Sequence, residues 1–94
     1  MKKGYVYILT NKFNRVLYVG VTSFIIKRIK EHQLKLVEGF TKKYNLTKLI
    51  YVEEFPSIIE AIEAEKKIKS GSRKKKLKLI KDQNPEWADL SQLL

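Results

Sequence analysis

At 94 residues and 11.1 kDa the chain has room for one hydrophobic core and no second one, so a single domain over residues 1–94 is expected. Twenty Lys and Arg against ten Asp and Glu give a formal charge of +10 on a chain that is 44% hydrophobic, a composition that folds and calls for an anionic partner, nucleic acid or an anionic membrane surface. The lack of cysteine excludes a disulfide framework, a thiol nucleophile and a zinc–thiolate site, and makes the cytoplasm the expected location.

Met1-Lys2-Lys3 has the basic start of a signal peptide, but the apolar run Tyr5 to Leu9 is shorter than the roughly 7–15 residues of a signal core, so it is expected to be a strand. No stretch approaches the about 18 apolar residues of a membrane span. Tyr5–Leu9 and Val16–Val21 are β-branched and aromatic runs separated by the turn-prone Thr10–Arg15. They predict a hairpin, and their lack of polar alternation predicts a central place in the sheet with both faces covered. Thr22 and Ser23 are N-cap residues for a helix over Phe24–Glu38, with Ile25, Ile29 and Leu36 on one stripe and Gly39 as its stop. A polar loop through Asn45 leads to a third strand, Lys48–Phe55, ended by Pro56. Ser57 caps a second helix, Ile58–Ser70, broken at Gly71; a third continues over Arg73–Lys81 and ends by Asn84-Pro85, and Glu86–Leu94 adds a turn that packs Trp87 and Leu90. The order ββαβαα predicts an α+β fold: a small, mainly antiparallel three-stranded sheet flanked by helices.

Some residues depart from this patterning. On the Ile58–Ser70 helix, Ile58, Ile59, Ala61 and Ile62 define an apolar side while Glu60, Glu63 and Lys67 fall opposite; Glu65 lies inside the apolar sector. A carboxylate there loses hydration and needs a cation, with a Lys or Arg partner favoured over a metal ion for the residue taken alone. Arg28 and His32 form an (i, i+4) pair at the edge of the first helix's apolar stripe. Singly, they are an ordinary surface cation and a hydrogen-bonded edge residue; together they offer a phosphate fork and a proton carrier. A register with Tyr7 opposite Tyr18 sets both phenols on one face and Gly20 opposite Tyr5, although three strand tyrosines with hydroxyls at the rim are the simpler account. The run Lys66, Lys67, Lys69, Arg73, Lys74, Lys75, Lys76, Lys78 would usually be a solvated face, but at a net +10 a nucleic-acid footprint is favoured, one that would bind any polyanion and has no base-reading motif.

These residues, in this order, resemble the GIY-YIG nuclease superfamily, whose members include the incision subunit of bacterial nucleotide-excision repair, homing endonucleases and some restriction enzymes. Tyr5-Val6-Tyr7 is similar to the first motif and Tyr18-Val19-Gly20 to the second, with ten residues between Tyr7 and Tyr18. Arg28 stands eight residues after Gly20 and His32 four after Arg28, as in the family's helix. Glu65, within Glu63–Lys69, looks like the family's metal-binding glutamate, and Asn84–Leu90 resembles the ending of the short standalone bacterial branch. Two positions depart from the pattern: Val21 stands where many members have lysine, and Leu77 where many have asparagine, with Asn84 the next asparagine along.

The resemblance implies a metal-dependent endonuclease that hydrolyses phosphodiester bonds in nucleic acid, DNA ahead of RNA, with a link to DNA repair. It implies catalytic roles for Tyr7, Tyr18, Arg28 and His32, and a Mg²⁺ or Mn²⁺ on Glu65 that keeps most of its waters. Arg28 would stabilise transition-state charge, and Tyr7 or His32 would take the proton of the attacking water. Lys66, Lys69, Arg73, Lys74, Lys75 and Lys76 would bind the nucleic acid, and a protein partner could supply substrate specificity. The alternative is a non-catalytic nucleic-acid-binding module using the same basic surface; membrane binding ranks last, because no broad apolar stripe accompanies the cations.

Overall fold

A computed structural model describes residues 2–94. Strands β1 (Gly4–Thr10), β2 (Leu17–Thr22) and β3 (Lys48–Phe55) form one antiparallel sheet in the order β2-β1-β3. The helices are α1 (Ile25–Gln33), α2 (Phe40–Lys43), α3 (Ile58–Ser70) and α4 (Arg73–Gln83), and a 3₁₀ turn covers Leu90–Leu93. The α+β class and the order of the long elements are as the sequence predicts.

The sheet has a helical layer on each face. Val6, Ile8, Val19, Ile50 and Tyr51 pack with Ala61 of α3 and Ile80 of α4, while Tyr7, Leu9 and Leu49 pack with Ile25 and Ile29 of α1. Strand alternation accounts for this division, because Val6 and Ile8 point one way from β1, and Tyr5, Tyr7 and Leu9 the other. On β3 a bulge opposite Ile8/Leu9 shifts the register, so Ile50 joins Tyr51 on the α3/α4 side and Leu49 stays on the α1 side.

Several expectations need correction. Only β1 is central; β2 is an edge strand, and its apolar content serves the two helical layers that cover its faces. The hairpin register sets Tyr7 opposite Gly20, Leu9 opposite Tyr18 and Tyr5 opposite Thr22, so Tyr7 and Tyr18 are diagonal neighbours on one face. Helix α1 stops at Gln33, well before Glu38, because Lys35 adopts φ 58° and the chain turns there: Leu36 N–H donates to Glu31 C=O at 2.8 Å and Lys35 N–H to His32 C=O at 3.0 Å. This is a Schellman ending with lysine in the position glycine usually holds, and it leaves Leu36 exposed. Finally, the stretch after Gly39 contains the short helix α2, whose first residue follows Gly39 at φ 104°.

Helix α3 keeps its predicted bounds. The Ser57 hydroxyl accepts the Glu60 N–H at 3.2 Å and donates to the Glu60 carboxylate at 3.2 Å, a local capping arrangement. Its buried stripe is narrower than the apolar pattern predicted: Ile58, Ala61, Ala64 and Ile68 face the sheet, while Ile59 and Ile62 are exposed. The helix crosses β1 at Gly4, where a Cβ would lie 2.5 Å from the Ala61 Cβ. Beyond α4, buried Asn84 donates to Ile50 C=O at 3.1 Å and Ala88 C=O at 2.8 Å and accepts from Ala88 N–H at 3.0 Å, fastening the tail to β3. Trp87 and Leu90 then pack on opposite faces of the sheet.

Candidate active site

Three of the sequence-predicted side chains meet on the α1 side of the sheet. Tyr7, from the middle of β1, is buried, and its hydroxyl lies 2.9 Å from His32 Nε2 in the last turn of α1. The Tyr18 ring completes the triangle, its centroid 6.3 Å from Tyr7 and 5.8 Å from His32. Gly20 makes the arrangement sterically possible: a Cβ there would stand 2.3 Å from Tyr7 Cζ and 2.4 Å from its hydroxyl oxygen. The phenol therefore occupies the space over β2 that any other residue would fill.

His32 is almost fully enclosed, and its second nitrogen, Nδ1, lies 3.2 Å from the Thr41 hydroxyl of α2. Neutral imidazole carries one N–H, so with that proton on Nδ1 toward Thr41, Nε2 accepts the Tyr7 hydroxyl; the other tautomer reverses both bonds. Burial pushes the His32 pKa below its ordinary value, and the Arg28 charge lowers it further against an opposing pull from Glu31. Burial also raises the Tyr7 phenol, with the neighbouring Tyr18, Glu65 and Glu31 adding to the rise and Arg28 opposing it. Left to themselves, both groups stay neutral near pH 7.

Arg28 and Glu65 approach this centre from its margins, close enough for their charges to act on Tyr7. Arg28 is half exposed on α1, its Nε 3.7 Å from the Glu31 carboxylate. Glu65 is on α3, across the sheet from α1; its side chain retains 14% exposure and its nearest cation is Lys69 Nζ at 3.8 Å. This pair is the ion-pair partner that burial required, but it is loose, and among the described residues the carboxylate accepts no hydrogen bond. No group of three or more His, Asp or Glu converges among the described residues. Glu65 is thus a single hard oxygen donor with an open side, which fits a Mg²⁺ or Mn²⁺ whose remaining ligands are water and phosphate.

The two faces communicate around the β2 edge, along a groove of about 300 Å³ lined by Leu17, Tyr18, Val19, Phe40, Lys69 and Lys76. The basic run is divided by its local duties. Lys66 and Lys74 are exposed, and Lys75 lines a separate cleft between α3 and α4. Arg73 donates to Arg15 C=O at 2.8 Å, and Lys76 donates to Lys69 C=O at 3.3 Å and Gly71 C=O at 3.1 Å, which satisfies the end of α3. Asn84, the next asparagine after Leu77, is committed to backbone groups. Sequence reasoning missed Thr41 and Phe40, since they sit in a segment read as loop and only the turn at Lys35 folds them back on His32 and Tyr18.

The chain matches the family model described as the GIY-YIG catalytic domain over residues 3–78. It is 42% identical over 87 residues to a UPF0213 protein of Syntrophus aciditrophicus, covering 92% of this chain and 98% of that protein. A UPF0213 protein of Staphylococcus haemolyticus is 40% identical over 82 residues, 87% of this chain and 99% of the relative. The fold is similar to the solution NMR structure of a UPF0213 protein from Bacillus halodurans, with a TM-score of 0.60, 31% identity, and coverage of 97% of this chain and 96% of that one.

Proposed function

The chain belongs to the GIY-YIG family, a nuclease family, and on that premise we propose that it is a divalent-metal-dependent endonuclease that hydrolyses phosphodiester bonds, DNA ahead of RNA. The observation that carries the proposal is the buried Tyr7–His32 hydrogen bond with Tyr18 beside it and the opposite charges of Arg28 and Glu65 at its margin. A neutral, buried phenol joined to a neutral, buried imidazole is built to pass a proton.

In this mechanism a water attacks the phosphorus, forming the new P–O bond as the bond to the leaving oxygen breaks. Tyr7 accepts the water's proton on its oxygen while its own proton passes to His32 Nε2, so the phenol does not have to persist as a phenolate that burial disfavours. His32 ends as imidazolium, with Nδ1 held by Thr41. Arg28 turns from Glu31 to the non-bridging oxygens and stabilises their added charge. A divalent cation on Glu65 would supply Lewis-acid polarisation of the phosphate. The leaving oxygen takes its proton from solvent.

The basic surface supplies affinity rather than chemistry, and specificity beyond it would come from a protein partner, because the lysines carry no base-reading motif. No helix among the described residues is long and apolar enough to cross a membrane; we place the activity in the cytoplasm, with DNA repair as the process that its excision-repair resemblance points to. Cleavage of labelled single-stranded, duplex and branched DNA with Mg²⁺ or Mn²⁺ tests the proposal. Glu65→Ala should abolish cutting and leave binding within about threefold, since phosphate contacts dominate affinity. A wild-type chain that binds DNA yet cuts none of these substrates with either ion would make it a binding module instead.

A further inference from the structure

Aromatic rings continue outward from the Tyr7–His32 centre. Phe40 lies near-parallel to Tyr18, with centroids 6.4 Å apart and planes at 26°, and Tyr44 follows at 4.8 Å from Phe40. These last two rings are more open to solvent than the strand tyrosines: Phe40 is 47% exposed and Tyr44 42%, whereas Tyr7 is buried and Tyr5 and Tyr18 are half-buried. Helix α2 is only four residues long and buries just Thr41, so the Phe40 and Tyr44 rings are not needed as core. Cations flank the row, with Lys43 Nζ 5.4 Å from the Tyr44 centroid and Lys69 and Lys76 across the groove that Tyr18 and Phe40 share.

Exposed ring faces beside a cationic groove are the arrangement that receives nucleobases whose own faces are free. In a continuous duplex each base face is covered by its neighbours, so a stacking platform selects unpaired nucleotides. We propose that Phe40 and Tyr44 form a base-stacking subsite for unpaired nucleotides flanking the scissile phosphate, which makes single strands, or the single-stranded arms of branched nucleic acid, the preferred substrate class. This rests on the nuclease assignment only for the word scissile; the binding itself requires no metal ion and no hydrolysis.

The test is a titration in EDTA of a fluorescent oligonucleotide carrying 2-aminopurine, single-stranded and then annealed to its complement. The wild type should bind the single strand more tightly than the duplex and change the 2-aminopurine emission on binding. The Phe40→Ala/Tyr44→Ala double variant should lose about tenfold or more in single-strand affinity and stay within about twofold on duplex. Phe40→Tyr should recover the single-strand affinity, and circular dichroism with an unchanged Tm checks that the variants fold. Equal affinity of the wild type for both forms, or equal losses on both in the double variant, would overturn the subsite. Because cleavage is absent from this assay, a chain that fails to hydrolyse DNA leaves the result standing. A chain that cuts duplex and single strand alike, with or without the two rings, keeps the nuclease and loses the platform.

Discussion

Gly20 and Tyr7 are one structural unit: the missing side chain on β2 is the space in which the phenol lies. Gly20→Ala should displace the ring from His32, lower stability by about 1–3 kcal/mol as overpacking does, and remove activity; urea denaturation together with the cleavage assay measures both. The titrations of the pair give a second expectation. His32 lies below its ordinary 6.5 in the folded chain, so above pH 6.5 it is neutral whether folded or unfolded and costs nothing. As pH falls below that value the unfolded chain takes up a proton that the folded chain resists, and stability declines until the folded pKa is passed. Tyr7 and Tyr51 lie above 10.0 when folded, so their contribution is complete below pH 10 and is lost as pH rises further. Urea midpoints should therefore fall on both sides of a plateau, and Tyr7→Phe should shrink the alkaline fall. The same sign applies to turnover: the acid limb of the cleavage rate should sit below the ordinary histidine value, since His32 starts neutral in the mechanism we propose.

Among the elements, the end of α1 decides whether a site exists. The left-handed Lys35 reverses the chain so that α2 returns Thr41 to His32 and Phe40 to Tyr18. A non-glycine residue in that region carries steric strain, so Lys35→Gly should stabilise the chain by about 1 kcal/mol. Chemical denaturation reads the change, and an unaltered midpoint would show that the strain is relieved elsewhere. This end was not legible in the sequence, because periodicity reports which residues suit a helix and the stop came from a lysine, which has no turn signature. The bounds of α3 were legible, as Ser57 and Gly71 carry their capping function in their own chemistry. Its buried stripe was less so: Ile59 and Ile62 look like core in a projection, but the face that meets the sheet is chosen by Ala61 against Gly4.

For the molecule as a whole, the charge of +10 predicts binding that weakens steeply with salt. Among the described residues, exposed Lys66 and Lys74 donate no side-chain hydrogen bond to the backbone, unlike Arg73 and Lys76, so the four should separate experimentally. Lys66→Ala and Lys74→Ala should each reduce the log–log salt slope of DNA binding by about 1 with stability unchanged. Arg73→Ala and Lys76→Ala should also lower the Tm, because they leave carbonyls at Arg15, Lys69 and Gly71 without their donors. Fluorescence anisotropy across a salt series and thermal melts measure the two effects.

Local sequence carried the fold class, the order of the long elements, the excess of positive charge and the identity of the residues that break their local patterns. These follow from composition, period and capping, which are properties of neighbours along the chain. Tertiary structure alone decided the hairpin register, the edge position of β2, the α2 turn and the partnership of Tyr7, His32 and Thr41. A register is a choice between alignments that local preference leaves nearly equal, and what separates them here is a contact between distant positions: a phenol on one strand that needs the absence of a side chain on the next.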